Sequence, residues 1–176
     1  MKKDIAVFLD RDGTINEDVG YLKNPRDVRL LDGVAEAVRL LNQRGIKTVI
    51  ITNQSGVARG YFTEEELEGV NRKVLELLEK EGARVDAIYY CPHHPDDGCG
   101  CRKPMSGLLE RAADELGIEL EKSYMVGDKT TDVLAAKSVG ARGILLSEGG
   151  TPCEDAHYVC SSLLEAVRWI LEHMEE

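Results

Sequence analysis

Two carboxylates stand one residue apart directly after the first apolar segment of the chain. That segment covers residues 5–9, and Asp10 and Asp12 follow it in the stretch Asp-Arg-Asp-Gly-Thr. Carboxylates at the end of a buried strand lose water, so their charged forms need a cation nearby. Such groups bind Mg²⁺, and one can attack phosphorus while another handles a proton. The spacing therefore indicates a metal or phosphoryl-transfer site; the alternative is that an Asp-Gly pair only forms a turn.

A second cluster of reactive residues lies in the middle of the chain. Cys91, His93, Cys99 and Cys101 follow one another within a single loop. Three thiolates and one imidazole match a closed, tetrahedral structural zinc site, whereas a catalytic zinc would leave one position for water. His94 is the competing ligand, and His93 is preferred because the Cys-x-His spacing mirrors the Cys-x-Cys spacing. The alternative is a set of free surface thiols.

The elements that must position these residues alternate along the chain. Short apolar segments are separated by amphipathic ones, a pattern typical of a parallel sheet with helices on both faces. We predict an α/β, doubly wound, Rossmann-like sheet in a single domain over residues 1–176. The predicted strands cover 5–9, 46–52, 87–90, 124–127 and 143–146, and the predicted helices cover 32–45, 63–82, 107–117, 131–140 and 161–174.

The candidate residues all follow predicted strands. Parallel strands end at one edge of the sheet, and ligands bind there in open α/β folds. Asp10 and Asp12 follow the first strand, the segment 52–55 ends the second, and Asp128 follows the fourth. We therefore expect one shared site. Residues 13–31 lack clear periodicity and are predicted to form a flap or hairpin over it.

Composition limits the classes of partner. The formal net charge of −10 disfavours nucleic-acid binding, which needs clustered cations. No apolar segment approaches the roughly 20 residues of a membrane span, and the apolar run near the N-terminus is short for a signal peptide. We expect a cytoplasmic monomer that binds neither nucleic acid nor membrane. A small phosphorylated substrate remains compatible, because it needs only a few local cations.

Four short motifs carry a family resemblance. They are DRDGT (10–14), TNQSG (52–56), RKP (102–104) and GDKTTD (127–132). In this order they resemble the motifs of the haloacid dehalogenase-like (HAD-like) phosphatases, and the resemblance covers roughly residues 4–147. It implies a HAD-like fold, and the compact chain suggests that there is no separate cap domain.

The resemblance also implies a role for each motif. Asp10 would be the nucleophile that takes the phosphoryl group, and Asp12 the acid that protonates the leaving oxygen and then activates water. Thr52 would bind the phosphoryl group, and Lys103 would neutralise its charge. Asp128 would complete a catalytic Mg²⁺ site with the side chain of Asp10 and the backbone carbonyl of Asp12. Such a site fits the electrostatic needs of phosphoryl transfer.

The cysteine loop and two further stretches narrow the resemblance. DVGYLKNP (18–25) and TNQSGVARGYFTEEE (52–66) look like loops of the D-glycero-D-manno-heptose-1,7-bisphosphate phosphatases. This implies hydrolysis of the C7 phosphate to leave heptose 1-phosphate, in the synthesis of lipopolysaccharide or of nucleotide-activated heptose. Arg102 would pair with the uncleaved phosphate; a surface salt bridge is the alternative. The implied substrate contacts are Asp18, Val19, Gly20, Tyr21, Asn53, Gln54, Ser55, Arg102 and Lys129.

Two other functions stay open at this point. The histidinol-phosphate phosphatases share the zinc loop, and the short interval between His93 and Cys99 matches that branch; another small phosphomonoester is also compatible. From a different class, a zinc-stabilised binding module would keep the pocket without turnover. The intact set of Asp10, Asp12 and Lys103 argues against it. The sequence does not decide the preferred anomer of the heptose.

Overall fold

A six-stranded parallel sheet forms the centre of the molecule. The computed structural model describes residues 2–174. The strands are β1 (Ala6–Leu9), β2 (Lys47–Asn53), β3 (Ala87–Cys91), β4 (Tyr124–Gly127), β5 (Arg142–Leu146) and β6 (Tyr158–Cys160). Their order in the sheet is β3-β2-β1-β4-β5-β6. The strand order reverses next to β1, and the carboxyl ends of β1 and β4 meet there, which is where such sheets bind ligands.

Five helices cover both faces of this sheet. They are α1 (Val34–Gln43), α2 (Glu64–Lys80), α3 (Gly107–Leu116), α4 (Thr130–Ser138) and α5 (Leu163–His173). Successive residues of β1 point to opposite faces, so Val7 and Leu9 pack with α1, α2 and α5. Ala6 and Phe8 pack instead with α3 and α4. All four side chains are fully buried, and the predicted doubly wound α/β fold is confirmed.

The structure corrects two details of the sequence prediction. A sixth strand, Tyr158–Cys160, pairs with β5 at the edge of the sheet; three residues are too short to show a strand period. Helix α1 begins at Val34 after Gly33, whose φ of 79° ends the preceding turn, so the helix begins later than the predicted residue 32. Helix α2 begins with a capping box, in which Thr63 and Glu66 exchange hydrogen bonds.

Residues 13–31 form the predicted hairpin-like arm, which lies beside the edge where the carboxyl ends of β1 and β4 meet. The Glu17 amide donates to the Arg29 carbonyl at 2.8 Å, and the Leu31 amide donates to the Ile15 carbonyl at 2.9 Å. The tip of the arm carries the exposed side chain of Tyr21. Between residues 2 and 174 no further folded domain is inserted over the sheet. The same residues contain no helix that is both apolar enough and long enough to cross a bilayer.

Candidate active site

Lys103 lies at the edge of the sheet where the carboxyl ends of β1 and β4 meet, and its side chain is almost fully buried. Its Nζ donates to Asp10 Oδ1 at 2.9 Å, to Asp132 Oδ1 at 2.6 Å and to the Ile51 carbonyl at 2.8 Å. Burial alone would lower the pKa of Lys103, but the charges of Asp10 and Asp132 outweigh it and the pKa is raised. Lys103 therefore stays cationic beside Asp10, as the neutralising role requires.

Asp132 supports this lysine from the first turn of α4. Its Oδ2 accepts from the Lys129 amide at 3.2 Å, while Oδ1 faces Lys103. Burial raises the pKa of Asp132 to about 6. A Cβ on Gly127 would lie 2.0 Å from Asp132 Oδ2, so only glycine fits at the end of β4. Asp132, the last residue of the GDKTTD motif, therefore supports Lys103 from α4.

Asp12 is held by side chains from three parts of the chain. Its Oδ1 accepts from Arg11 Nη2 at 2.9 Å and from Asn16 Nδ2 at 3.0 Å. Its Oδ2 accepts from Gln54 Nε2 at 2.9 Å, and the same nitrogen also lies 2.9 Å from Thr52 Oγ1. Gln54 thus links Asp12 and Thr52, which the sequence assigned to proton transfer and phosphoryl binding.

The carboxylates beside β1 and β4 fit a divalent cation. Carboxylate oxygens of Asp10, Asp128 and Asp132 all lie within 4.8 Å of one another. Asp132 uses both of its oxygens, for Lys103 and for the Lys129 amide, whereas Asp10 contacts Lys103 through Oδ1; this leaves Asp10 and Asp128 as the carboxylate pair. Asp128 Oδ1 is buried and has no hydrogen-bond partner. Burial and the charge of Asp10 raise the pKa of Asp128 to about 7. A buried oxygen without a hydrogen-bond partner, within a cluster of carboxylates, is a ligand suited to Mg²⁺.

A small inner pocket opens toward a larger outer cleft. The inner pocket, about 30 Å³, is lined by Asp10, Asp12, Thr52 and Lys103 among others. The outer cleft, about 460 Å³, shares Asp12 and Lys103 with it. Most of the predicted substrate contacts line this cleft, namely Asp18, Gly20, Tyr21, Asn53, Gln54, Ser55, Arg102 and Lys129. Val19 has an exposed side chain and is not among the lining residues.

The outer cleft differs in charge from a second cavity, which is lined by Asp128. The outer cleft carries four cationic side chains, from Arg59, Arg102, Lys103 and Lys129, against the two carboxylates of Asp12 and Asp18. Arg102 Nη1 is buried there without a hydrogen-bond partner. The second cavity, also about 460 Å³, has charged side chains only from Asp32, Asp128 and Glu148. A phosphorylated substrate therefore matches the cationic cleft and not the acidic cavity.

The cysteine cluster is assembled as predicted. Cys101 Sγ lies 2.7 Å from Cys91 Sγ and 3.7 Å from Cys99 Sγ, and His93 Nδ1 lies 3.2 Å from Cys101 Sγ. All four donor atoms lie within 4.8 Å of one another. His94 Nδ1 instead accepts from the Asp96 amide at 3.1 Å, so the competing ligand is occupied elsewhere.

Protonation within the cluster also suits a metal. Burial raises the pKa of Cys91 and of Cys101. Burial acts in the same direction on Cys99, but hydrogen bonds from the Arg102 amide and the neighbouring thiols lower the pKa of Cys99 to about 6. One thiolate is thus available near neutral pH, and a bound metal would stabilise the other two. The donor set fits zinc.

The cysteine loop leads directly into Lys103. Cys101 is followed by Arg102 and Lys103. The Lys103 amide donates to Asn53 Oδ1 at 3.0 Å, and Asn53 Nδ2 donates to the Lys103 carbonyl at 3.2 Å. Asn53, predicted to contact substrate, therefore lines the cleft while its amide holds the backbone of Lys103. The position of Lys103 depends on both β2 and the cysteine loop.

Sequence reasoning did not find Arg11, Asn16 and Asn71 as site residues. The only available signals were an arginine between two site aspartates and a polar residue inside the apolar stripe of α2. Asn71 is buried in that stripe next to Val70 and Val74. It accepts from Arg11 Nη1 at 2.8 Å, although 60 positions separate the two residues.

Known proteins share this architecture and sequence. A family model described as HAD-hydrolase-like matches residues 100–166. The chain is 39% identical to the D-glycero-beta-D-manno-heptose-1,7-bisphosphate 7-phosphatase of Haemophilus ducreyi, over 94% of this chain and 97% of that protein. It is 40% identical to the protein of the same name from Yersinia pestis, over 97% of this chain and 92% of that protein.

A solved structure agrees with the sequence relatives. The D,D-heptose 1,7-bisphosphate phosphatase from B. bronchiseptica, complexed with magnesium and phosphate, superposes with a TM-score of 0.86 at 34% identity. The match covers 96% of this chain and 98% of that one. The resemblance in the four motifs is therefore confirmed over nearly the whole length. The chain belongs to the D-glycero-beta-D-manno-heptose-1,7-bisphosphate 7-phosphatase family of HAD-like hydrolases.

Proposed function

We propose that this protein hydrolyses the C7 phosphate of D-glycero-β-D-manno-heptose 1,7-bisphosphate and releases heptose 1-phosphate. The observation that carries the proposal is the two-part site. Lys103 and Thr52 line an inner pocket at Asp10, whereas Arg102 lines only the outer cleft, where its Nη1 lacks a partner. A substrate with a phosphate at each end has a cationic partner for each. The names of the relatives support the sugar and the β anomer.

In the first step Asp10 attacks the C7 phosphorus. A carboxylate oxygen of Asp10 forms a bond to phosphorus as the bond from phosphorus to the C7 oxygen breaks. Asp12 gives a proton to that departing oxygen, so heptose 1-phosphate leaves as an alcohol. Lys103 offsets the charge that spreads over the phosphoryl oxygens, and Thr52 donates a hydrogen bond to them. An aspartyl-phosphate on Asp10 remains.

In the second step water cleaves the aspartyl-phosphate. Asp12, now without its proton, accepts one from the water whose oxygen attacks phosphorus. The bond from phosphorus to Asp10 breaks, inorganic phosphate leaves, and both aspartates return to their starting states. Asp10, Asp128 and the backbone carbonyl of Asp12 would hold Mg²⁺, which supplies charge neutralisation for the phosphoryl group when bound.

We further propose that Cys91, His93, Cys99 and Cys101 bind a structural zinc ion. Four protein donors close the coordination shell, so the ion has no free position for water. Its role is to fix the loop that ends at Arg102 and Lys103. The retained catalytic set, with Lys103 buried against Asp10, supports an enzyme and not a binding module.

A panel of substrates tests the proposal. We expect kcat/KM for the β anomer of heptose 1,7-bisphosphate to exceed the values for the α anomer and for histidinol phosphate. A preference for histidinol phosphate would assign the chain to that activity instead. Asp10→Asn should lower kcat by on the order of 10⁴-fold or more, with an unchanged melting temperature, because the nucleophile is lost. Substantial activity in this variant would contradict the covalent mechanism.

A further inference from the structure

Arg11 is a buried cation that has no role in the two proposed reaction steps. Its side chain has no exposed surface, and it lies between the two aspartates of the first motif. Burying a guanidinium is costly unless its donors are paired. A residue kept inside the protein at that cost, directly beside a reacting group, needs an explanation beyond filling space.

The guanidinium donates hydrogen bonds to Asp12 on one side and to Asn71 on the other. Nη2 lies 2.9 Å from Asp12 Oδ1 and 3.1 Å from Oδ2, and Nε lies 3.2 Å from Oδ1. On the opposite side Nη1 donates to Asn71 Oδ1 at 2.8 Å. A planar guanidinium held at both ends fixes the plane of the carboxylate that it faces. Asn71 is 7% exposed and belongs to α2, so a rigid helix anchors this arrangement.

The two oxygens of Asp12 have different surroundings. Oδ1 faces Arg11 and the fully buried Asn16. Oδ2 keeps only the longer 3.1 Å contact with Arg11 Nη2 and also accepts from Gln54, which contacts Thr52, a residue of the inner pocket. Releasing the bond to Gln54 would leave Oδ2 with that single contact and open to the reacting phosphate, while Arg11 and Asn16 still hold Oδ1 at shorter distances. Oδ2 is therefore the oxygen placed to exchange the proton with substrate and water.

We propose that Arg11, anchored by Asn71, is a positioning residue that aims Asp12 Oδ2 at the leaving-group oxygen. The inference rests on the proposed function, because it takes Asp12 as the group that protonates the departing oxygen. A general acid acts only within hydrogen-bond reach of its target, and small errors of placement lose much of its effect. Arg11 lines neither the inner pocket nor the outer cleft, so it acts on the substrate only through Asp12.

Two substrates whose leaving groups differ in basicity can show whether a variant has lost the positioning of Asp12 or has suffered general structural damage. An alkyl phosphate such as the heptose bisphosphate needs a proton on its departing oxygen, whereas p-nitrophenol departs readily without one. The measured quantity is kcat/KM, which covers the steps up to phosphoryl transfer to Asp10 and excludes hydrolysis of the intermediate. We expect Arg11→Met to lose about 100-fold on the heptose bisphosphate and less than about threefold on p-nitrophenyl phosphate.

Matched variants complete the test. Asn71→Ala should show a smaller loss with the same dependence on leaving group, and Arg11→Lys should restore part of the activity on the alkyl phosphate. Arg72 is an exposed arginine next to Asn71, and Arg72→Met should leave kcat/KM unchanged for both substrates. Equal losses on both substrates, or no loss in Arg11→Met, would overturn the inference. Should Arg11→Met fold poorly by thermal denaturation, the milder Asn71→Ala carries the same comparison.

Asp12→Asn distinguishes failure of this inference from failure of the proposed function. We expect its loss to fall mainly on the alkyl phosphate. A uniform loss in Asp12→Asn would overturn the acid role of Asp12 and the positioning role of Arg11 with it. A selective loss in Asp12→Asn combined with a uniform loss in Arg11→Met would leave the proposed function standing and overturn the positioning role alone.

Discussion

Lys103 Nζ lies 2.6 Å from Asp132 Oδ1, and both side chains are almost fully buried. The contact joins the third motif to the last residue of the fourth. It also means that Lys103 has an anionic partner on each side, Asp10 and Asp132. The lysine can therefore remain charged at full burial whether or not Asp10 carries a phosphoryl group.

This relationship predicts the effect of Asp132→Asn. The asparagine keeps the shape and removes one of the two charges that hold the Lys103 ammonium. We expect kcat to fall by about 10- to 100-fold while KM changes little, because the loss affects a positioned cation in the transition state. Steady-state kinetics on the heptose bisphosphate measure this. Asp114→Asn, an exposed aspartate of α3, is the control, and equal behaviour of the two variants would refute the assignment.

Magnesium should stabilise the protein more strongly at higher pH. Burial and the charge of Asp10 raise the pKa of Asp128 to about 7 in the metal-free state. Between about pH 4 and pH 7 the folded state thus holds a proton that the unfolded chain releases. The contribution of Asp128 to stability therefore falls as the pH rises through this window. A metal ion must displace that proton, so it competes less well at low pH.

The measurement is thermal unfolding with and without MgCl₂ at about pH 5.5 and about pH 8. We expect the increase in melting temperature on adding MgCl₂ to be larger at the higher pH. Asp128→Asn should abolish most of this increase at both values. Asp114→Asn should behave as the unsubstituted protein. An increase that is the same at both pH values would show that protons and magnesium do not share Asp128.

Loss of zinc should disturb catalysis through Lys103. Metal analysis should find about one zinc per chain, since the four donors form one closed site. Cys101→Ser should lower the zinc content, the melting temperature and kcat together. Cys153→Ser, a cysteine outside the cluster, should change none of them. A stable and fully active protein without zinc would contradict both the structural role and its connection to Lys103.

Arg102 should distinguish substrates with one phosphate from those with two. Its buried and unpartnered Nη1 in the outer cleft suits a second phosphate. We expect Arg102→Ala to raise KM for heptose 1,7-bisphosphate by about 10- to 100-fold, the value of a charge-assisted contact. KM for p-nitrophenyl phosphate should barely change. Arg111→Ala, an exposed arginine of α3, is the control. Equal effects on the two substrates would argue that Arg102 only shapes the cleft.

The sequence predicted most of the fold because its periodicity is strong. The five longer strands and the five helices of residues 2–174 alternate clearly, and the rule that parallel strands end at one edge places Asp10, Thr52 and Asp128 together from the sequence alone. The strand Tyr158–Cys160 was not predicted because three residues are too few to show a strand period, and its pairing with β5 depends on the rest of the sheet. Local pattern is informative only where an element is long enough to repeat.

The parts of the site that sequence could not supply are contacts between distant residues. Arg11 and Asn71 meet only after α2 packs on the sheet, and no spacing rule links positions 60 residues apart. Asn53 illustrates a second limit. Its motif predicted a substrate contact, and Asn53 does line the cleft, but no motif showed that the oxygen and the nitrogen of its side-chain amide both hydrogen-bond to the backbone of Lys103. Residue type shows what a side chain can bind, and packing decides which partner it meets.

The short turn between His93 and Cys99 has a practical consequence. His94 caps Pro95–Asp97 with its own ring and backbone, and none of these residues contributes a donor to the cysteine cluster. Lys103 is held by Asn53 and by the cysteine cluster, and not by the residues of this turn. We therefore expect turns of other lengths to be accepted between His93 and Cys99 without loss of zinc binding or of the position of Lys103.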